Sequence, residues 1–234
     1  MKKIVLAILM TFGIFTMVSA DIGVKLGVSA QIGSMEASGS EKNSDGATAT
    51  RKSGTREALF ATGGYFIEKD LAFLPGRLGD FGSRISIGFD NIVHDLDLGT
   101  VNNVRGETLG AAGAAVIPTT HKLSAKITGF ETVYATLNIT DWLYVKAGNV
   151  TVDVDTKFNG TSTSSYPTSH SLDGTVVGFG VEKSSDNGMF FRLEYNDYSI
   201  DGKSVANSGA DSKFTATLND VSGSTGRISI GKAF

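Results

Sequence analysis

From residue 22 to residue 33 every even position is Ile, Val, Leu or Ala and every odd one is Gly, Lys, Ser or Gln. That period of two suits only an extended strand with one apolar and one polar face. The same alternation returns in 83–93, 122–139, 175–182, 191–196 and 226–234. A helix that crosses a membrane needs about 20 apolar residues in a row, and none occurs beyond residue 18. The chain reads as all-β. With 234 residues, 29 Gly, 3 Pro and no Cys, it reads as one domain held by its fold and not by disulfides.

The first 20 residues have a different character. Lys2 and Lys3 precede an apolar run at 4–18, and Val18-Ser19-Ala20 offers a small-residue cleavage site, the pattern of a secretory leader. The other use of such a run, a transmembrane anchor, lacks a charged stop-transfer flank. Removing 1–20 leaves 21–234, and takes Lys2 and Lys3 from 21 basic residues to leave 19 against 24 acidic ones, a net of −5. No basic patch remains to suggest nucleic acid. The absence of Cys excludes a lipidated cysteine and thiolate metal sites.

Eight strands are expected: 22–33, 59–67, 83–93, 122–139, 143–154, 175–182, 191–196 and 214–234. In the second, the odd positions from Leu59 to Ile67 suit the outward face. In the fourth, Ile127 shares its face with Val133. In the fifth, Leu143, Val145 and Ala147 give way to Val150, Val152 and Val154 on the other parity, which predicts a bulge near Asn149. Long polar loops are expected at 37–56, 94–120, 155–173 and 201–211, the second with a small-apolar run at 110–115. Shorter links fall at 68–82, 138–141 and 184–188, the last with Asp-Asn-Gly hairpin chemistry. Long links thus follow the odd strands and short links the even ones, with both termini on the short-link side. A period of two also fits a soluble, lipocalin-like barrel with its apolar face inward. An aromatic last residue, the alternation of link lengths and an outward set almost free of charge in mid-strand favour a membrane.

Even strand number, short periplasmic turns and longer external loops are the pattern of outer-membrane barrels. Through its leader, strand count, Gly-rich first strand and the ending from Arg227 to Phe234, the chain resembles the small eight-stranded outer-membrane barrels, the OmpA-like and opacity-type proteins. The resemblance implies an eight-stranded antiparallel up-and-down transmembrane β-barrel of the bacterial outer membrane, with both termini in the periplasm and no periplasmic domain. It implies that Ile228, Ile230 and Phe234 form an assembly signal for the barrel-assembly machinery, and that the last strand closes against the first. Lys232 departs from the usual ending, although a lysine near the rim can snorkel to the headgroups. Expected partners are outer-membrane lipids and lipopolysaccharide, and an external ligand, host or phage protein.

Parity places Lys25, Arg84, Lys146, Glu182, Arg192, Glu194 and Arg227 on the lumen face. An eight-stranded barrel is just wide enough for side chains to fill it, so these charges must pair into a polar core or, alternatively, form a gate. Trp142, Tyr144 and Phe191 suit an aromatic belt. His94, His121 and His170 are scattered and form no catalytic set. Asp95 with Asp97, or Asp153 with Asp155, lack the spacing of a calcium loop. No cofactor or metal is expected. The expected role is non-enzymatic, structural or in surface contact, with a narrow channel for ions or small solutes as the alternative.

Overall fold

The structure, a computed structural model, describes residues 22–43, 52–108, 116–159, 166–206 and 214–234. The leader at 1–20 and the run at 110–115 lie outside the described residues. Alternation builds the wall directly: β1 (Val24–Asn43) pairs with β2 (Lys52–Asp70), β2 with β3 (Ile85–Ile92), and β3 with β5 (Val116–Asn138), all antiparallel. β5 pairs with β6 (Leu143–Asn159), β6 with β7 (Ser169–Ser184), β7 with β8 (Met189–Ile200) and β8 with β11 (Val221–Ala233). β11 then returns to β1, from Lys25 opposite Ala233 to Glu36 opposite Ser222, and the barrel is closed. Closure removes the unpaired edge that an open sheet would present. β4 (Leu96–Thr108) extends the wall of β3 along β5, while β9 (Lys203–Ala206) and β10 (Phe214–Leu218) extend those of β8 and β11. Eight antiparallel walls result.

Stepping sideways from Lys183 through its paired neighbours Phe191, Ile230, Val28, Tyr65, Asn91, Glu131 and Thr151 returns to β7 at Asp173, ten residues (183 less 173) from the start. At about 3.3 Å per residue and about 4.8 Å between strands, this stagger tilts the strands by about 41° and sets a backbone radius of about 8 Å. Such a lumen is filled by side chains.

Ile22, the first described residue, and Phe234 share one end with three links. The first, 71–84, holds α1 (Arg77–Gly82), the second is 139–142, and the third is the turn at 185–188. In that turn Gly188 takes φ 81°, a left-handed value natural only to glycine, while its N–H donates to the Ser185 carbonyl at 2.9 Å. At the other end the hairpins β1–β2, β4–β5, β6–β7 and β9–β10 rise beyond the wall.

The wall is apolar outside. Val28, Ile32, Leu59, Ile87, Val133, Val145, Val177, Phe179, Leu193 and Ile228 are all exposed. Inside there are two storeys. Toward the terminal end lie buried charges, and toward the hairpin end an apolar cluster of Met35, Leu96, Ile127, Phe130, Val150, Val152, Leu172, Val176, Tyr198 and Ile200. Phe130 meets Tyr198 edge-on at 5.4 Å between ring centroids.

Several expectations change. Pairing runs without interruption through Asn149, so Val150 and Val152 point inward with no bulge; they are apolar because the lumen itself turns apolar at that height. The bulge lies instead in β5 between Ile127 and Gly129, and it turns Ile127 inward, away from the face of Val133. Most described residues expected as loop in 37–56, 94–120, 155–173 and 201–211 continue as hairpin strands; 94–95, 166–168 and 201–202 do not. The link expected at 68–82 begins only after Asp70, so Glu68 is a strand residue. The last wall is broken at Asn219 and Asp220.

Candidate functional site: the charged lumen

Arg192 on β8 is the hub. Its guanidinium makes a two-pronged contact with Glu68 of β2, Nη1 to Oε1 at 2.6 Å and Nη2 to Oε2 at 2.8 Å, and reaches Glu182 of β7 at 2.6 Å. Glu182 also accepts from Lys25 of β1 at 2.5 Å, and Glu68 from the Tyr134 hydroxyl of β5 at 2.8 Å. A second centre is Glu194 of β8, which accepts from Lys146 at 3.0 Å, the Tyr144 hydroxyl at 2.6 Å and the Asn196 amide at 2.8 Å. Arg227 of β11 pairs with Asp90 of β3 and lies 3.8 Å from Glu194. Four carboxylates (Glu68, Asp90, Glu182, Glu194) thus face four cations (Lys25, Lys146, Arg192, Arg227). The set is neutral as a whole, which is what lets it be buried: an isolated ion there would cost several kcal/mol, and pairing with further hydrogen bonds offsets that.

Aromatic rings complete the packing. The Arg192 guanidinium lies 5.0 Å from the centroids of Phe66 and Tyr144 and 5.4 Å from Phe190, and Lys146 sits 4.1 Å from that of Tyr134. Such cation–π contacts favour a desolvated cation. Inward glycines supply the room: a methyl group on Gly27 would strike the Phe66 ring, on Gly88 the Tyr134 ring, on Gly180 the Tyr144 hydroxyl and on Gly231 the Phe190 ring. The polar face of the strands alternates Gly with charge because bulky rings from neighbouring strands fill each gap.

Of the charges assigned inward by parity, Lys25, Lys146, Glu182, Arg192, Glu194 and Arg227 meet in this network. Arg84 does not. It is exposed beside α1, its N–H donating to the Phe81 carbonyl at 3.1 Å, and parity does not reach it because β3 begins at Ile85. Tyr144, expected in an aromatic belt, is instead buried: it shares the inward parity of Lys146, and its hydroxyl belongs to the Glu194 centre. Trp142 and Phe191 are exposed on the outside, as are Ile228, Ile230 and Phe234. Glu68, expected in the link 68–82, follows Thr62 and Phe66 on the inward side of β2 and so has the inward parity. Asp90, Tyr134 and Asn196 stood on the polar faces of their strands without a partner that sequence could name.

A wall apolar outside and charged within inverts a soluble protein, and solvent on both sides would leave the outer band unsatisfied. The fold is that of a small outer-membrane β-barrel. Three solved structures similar to it are outer-membrane proteins. The outer membrane protease OmpT from Escherichia coli is 8% identical over 94% of this chain and 99% of its own, at a TM-score of 0.48. The outer membrane protein OprG from Pseudomonas aeruginosa is 10% identical over 92% and 98%, at 0.44. Ail, the attachment invasion locus protein of Yersinia pestis in complex with the heparin analogue sucrose octasulfate, is 11% identical over 86% and 98%, at 0.28. No family model and no curated protein matches the sequence. None of the three structures lends this barrel a role.

Chemistry elsewhere is sparse. His94 is exposed and His170 half-buried, and the His121 side chain lies outside the described set. Asp95 bonds Lys126 at 2.6 Å. Among the described residues no three His, Asp or Glu side chains converge as a metal site would need.

Proposed function

We propose that the protein is a non-enzymatic, non-conducting barrel of the bacterial outer membrane that presents its hairpins for surface contact. The observation that carries this is the doubly closed lumen: the ion network around Arg192 fills one storey and the apolar cluster around Val150 and Val152 the other. A path through it would have to cross both. The hairpins β1–β2, β4–β5, β6–β7 and β9–β10 then remain as the surface offered to a ligand, host or phage protein. On this reading residues 1–20 are removed, both termini lie in the periplasm, and the outward Ile228, Ile230 and Phe234 are read by the barrel-assembly machinery. Trp142 and Phe191 meet the lipid interface, and lipopolysaccharide surrounds the hairpin end. No metal or cofactor is involved.

The test is deletion of the β4–β5 hairpin above the wall, residues 97–125, in cells that display the barrel. Loss of attachment to surfaces, host cells or phage at unchanged surface level is the expected result. Attachment unchanged by removal of any of the four hairpins would contradict the role.

One observation favours a narrow channel as the second reading. Among the described residues, five buried polar atoms, Thr62 Oγ1, Asn196 Oδ1, Thr225 Oγ1, Arg227 Nε and Ser229 Oγ, have no protein partner, and these lie on β2, β8 and β11 around one side of the lumen. Polar groups so placed suit buried water. Water there would reach the apolar storey and stop, unless that storey opens.

A further inference from the structure

The apolar band is not equally tall all round. On β7 its outward members run only from Val181 to Val177, with Lys183 beyond one end and Thr175 and Asp173 beyond the other. On β8, exposed Asp197 follows directly on Tyr195, and it sits opposite the exposed Val177. On β2, by contrast, the outward face stays free of charge from Ile67 to Leu59, and Leu59 is 82% exposed. With strands tilted about 41°, each residue climbs about 2.5 Å along the barrel axis. The band is thus about 10 Å high on β7 and about 20 Å on β2, against about 25 Å in barrels generally.

A diagonal polar row marks the low edge. Asn91 donates to Glu131 at 3.4 Å and Thr151 to Asp173 at 3.2 Å, on four successive walls whose paired residues climb about 3 Å per strand. Hydrocarbon cannot satisfy carboxylates, so acyl chains must end below this row. At the terminal end the boundary is set by Lys69, Lys183 and Lys232, whose stems can lie along lipid while their ammonium groups reach phosphate. The shortfall therefore belongs to the hairpin-side leaflet.

We propose that this barrel meets lipid at two heights: a bilayer of ordinary thickness against β1 and β2, and a locally thinned one against the β5–β8 face, where headgroups and water descend to Glu131, Asp173 and Asp197. Mismatch of this kind is relieved by deformation of the bilayer. Exposed carboxylates at the row's edge speak for lipid headgroups and water and against an apolar protein cover. The consequence is a directional defect in one leaflet, carried by one face of the barrel.

The inference rests on the barrel spanning a bilayer, and one experiment separates the two. The chain has no cysteine, so single variants Phe179→Cys, Leu59→Cys and Thr151→Cys can each carry a nitroxide in the full barrel reconstituted in phosphatidylcholine vesicles. Register puts Thr151 about 12 Å and Leu59 about 18 Å above Val28 along the axis. The expected result is oxygen-rich, nickel-poor collisions at 179 and at 59, and nickel-rich collisions at 151, although 151 is the lower site. Oxygen-rich collisions at 151, nickel-rich ones at 59, or a label at 151 shielded from both reagents would each overturn the proposal; the last would mean a protein cover. Nickel-rich collisions at 179 would instead show that the barrel is not in the bilayer. Should a variant fail to fold, Thr175→Cys and Ala61→Cys make the same comparison between the two faces.

Discussion

At the scale of the residue, Arg192 joins three strands through Glu68 and Glu182, with both members of the Arg192–Glu68 pair almost fully buried. Arg192→Ala would leave the buried Glu68 without a cation and Glu182 with Lys25 alone, and we expect it to lower stability by about 3–5 kcal/mol, the cost of breaking a buried pair. Urea-driven unfolding in lipid vesicles measures it. Arg192→Lys should recover little, because a lysine cannot make the two-pronged contact with Glu68. Gly88→Ala or Gly180→Ala should each cost about 1–3 kcal/mol by overpacking against Tyr134 or Tyr144, and a destabilised variant should regain stability when the facing tyrosine is also made smaller. Such detail was only half legible in the sequence. Parity tells which side of a strand Lys146 or Glu194 occupies, but not which partner lies across the lumen, because Arg192 and Glu68 are 124 residues apart. Tyr144 was misread for a related reason. A tyrosine beside Trp142 suits a lipid interface by composition, but the parity it shares with Lys146 turns it inward, into the space left by Gly180 on the neighbouring strand.

At the scale of the element, β11 is the closing strand. The Phe234 N–H donates to the Val24 carbonyl at 2.9 Å and its carbonyl accepts from the Val24 N–H at 3.3 Å, while its ring points outward and is 43% exposed. Phe234→Ala keeps those backbone bonds. It should therefore slow insertion and lower the amount of folded barrel in cells, while the folded fraction unfolds at nearly the wild-type urea concentration; insertion at the wild-type rate would show that the ring has no part in assembly. The strands on either side of the hairpins show where sequence patterning fails. Period two survives any uniform face but not a lumen that changes from charged to apolar with height, so Val150 and Val152 imitated a bulge near Asn149. The true bulge, between Ile127 and Gly129, is masked because residues above it belong to a hairpin with no lipid-facing side.

At the scale of the molecule, the closed wall, its alternation and the pattern of long and short links could be read from the sequence because each depends on local period and link length alone. A continuous outer apolar band requires lipid or detergent, so the unboiled protein should run faster on a denaturing gel than the boiled form, and a monodisperse protein without detergent would contradict the membrane fold. The lumen decides whether the barrel conducts. Two storeys of different chemistry, the Arg192 network and the apolar cluster of Val150 and Val152, close one tube of about 8 Å backbone radius. The most direct measurement is current through the purified full barrel in planar bilayers. Wild type is expected to show no steady conductance, and Arg192→Ala to be less stable without becoming conductive, because the apolar storey stays shut. A steady wild-type conductance, altered by Arg192→Ala yet indifferent to shortening of the hairpins, would contradict the closed lumen and make the barrel a channel.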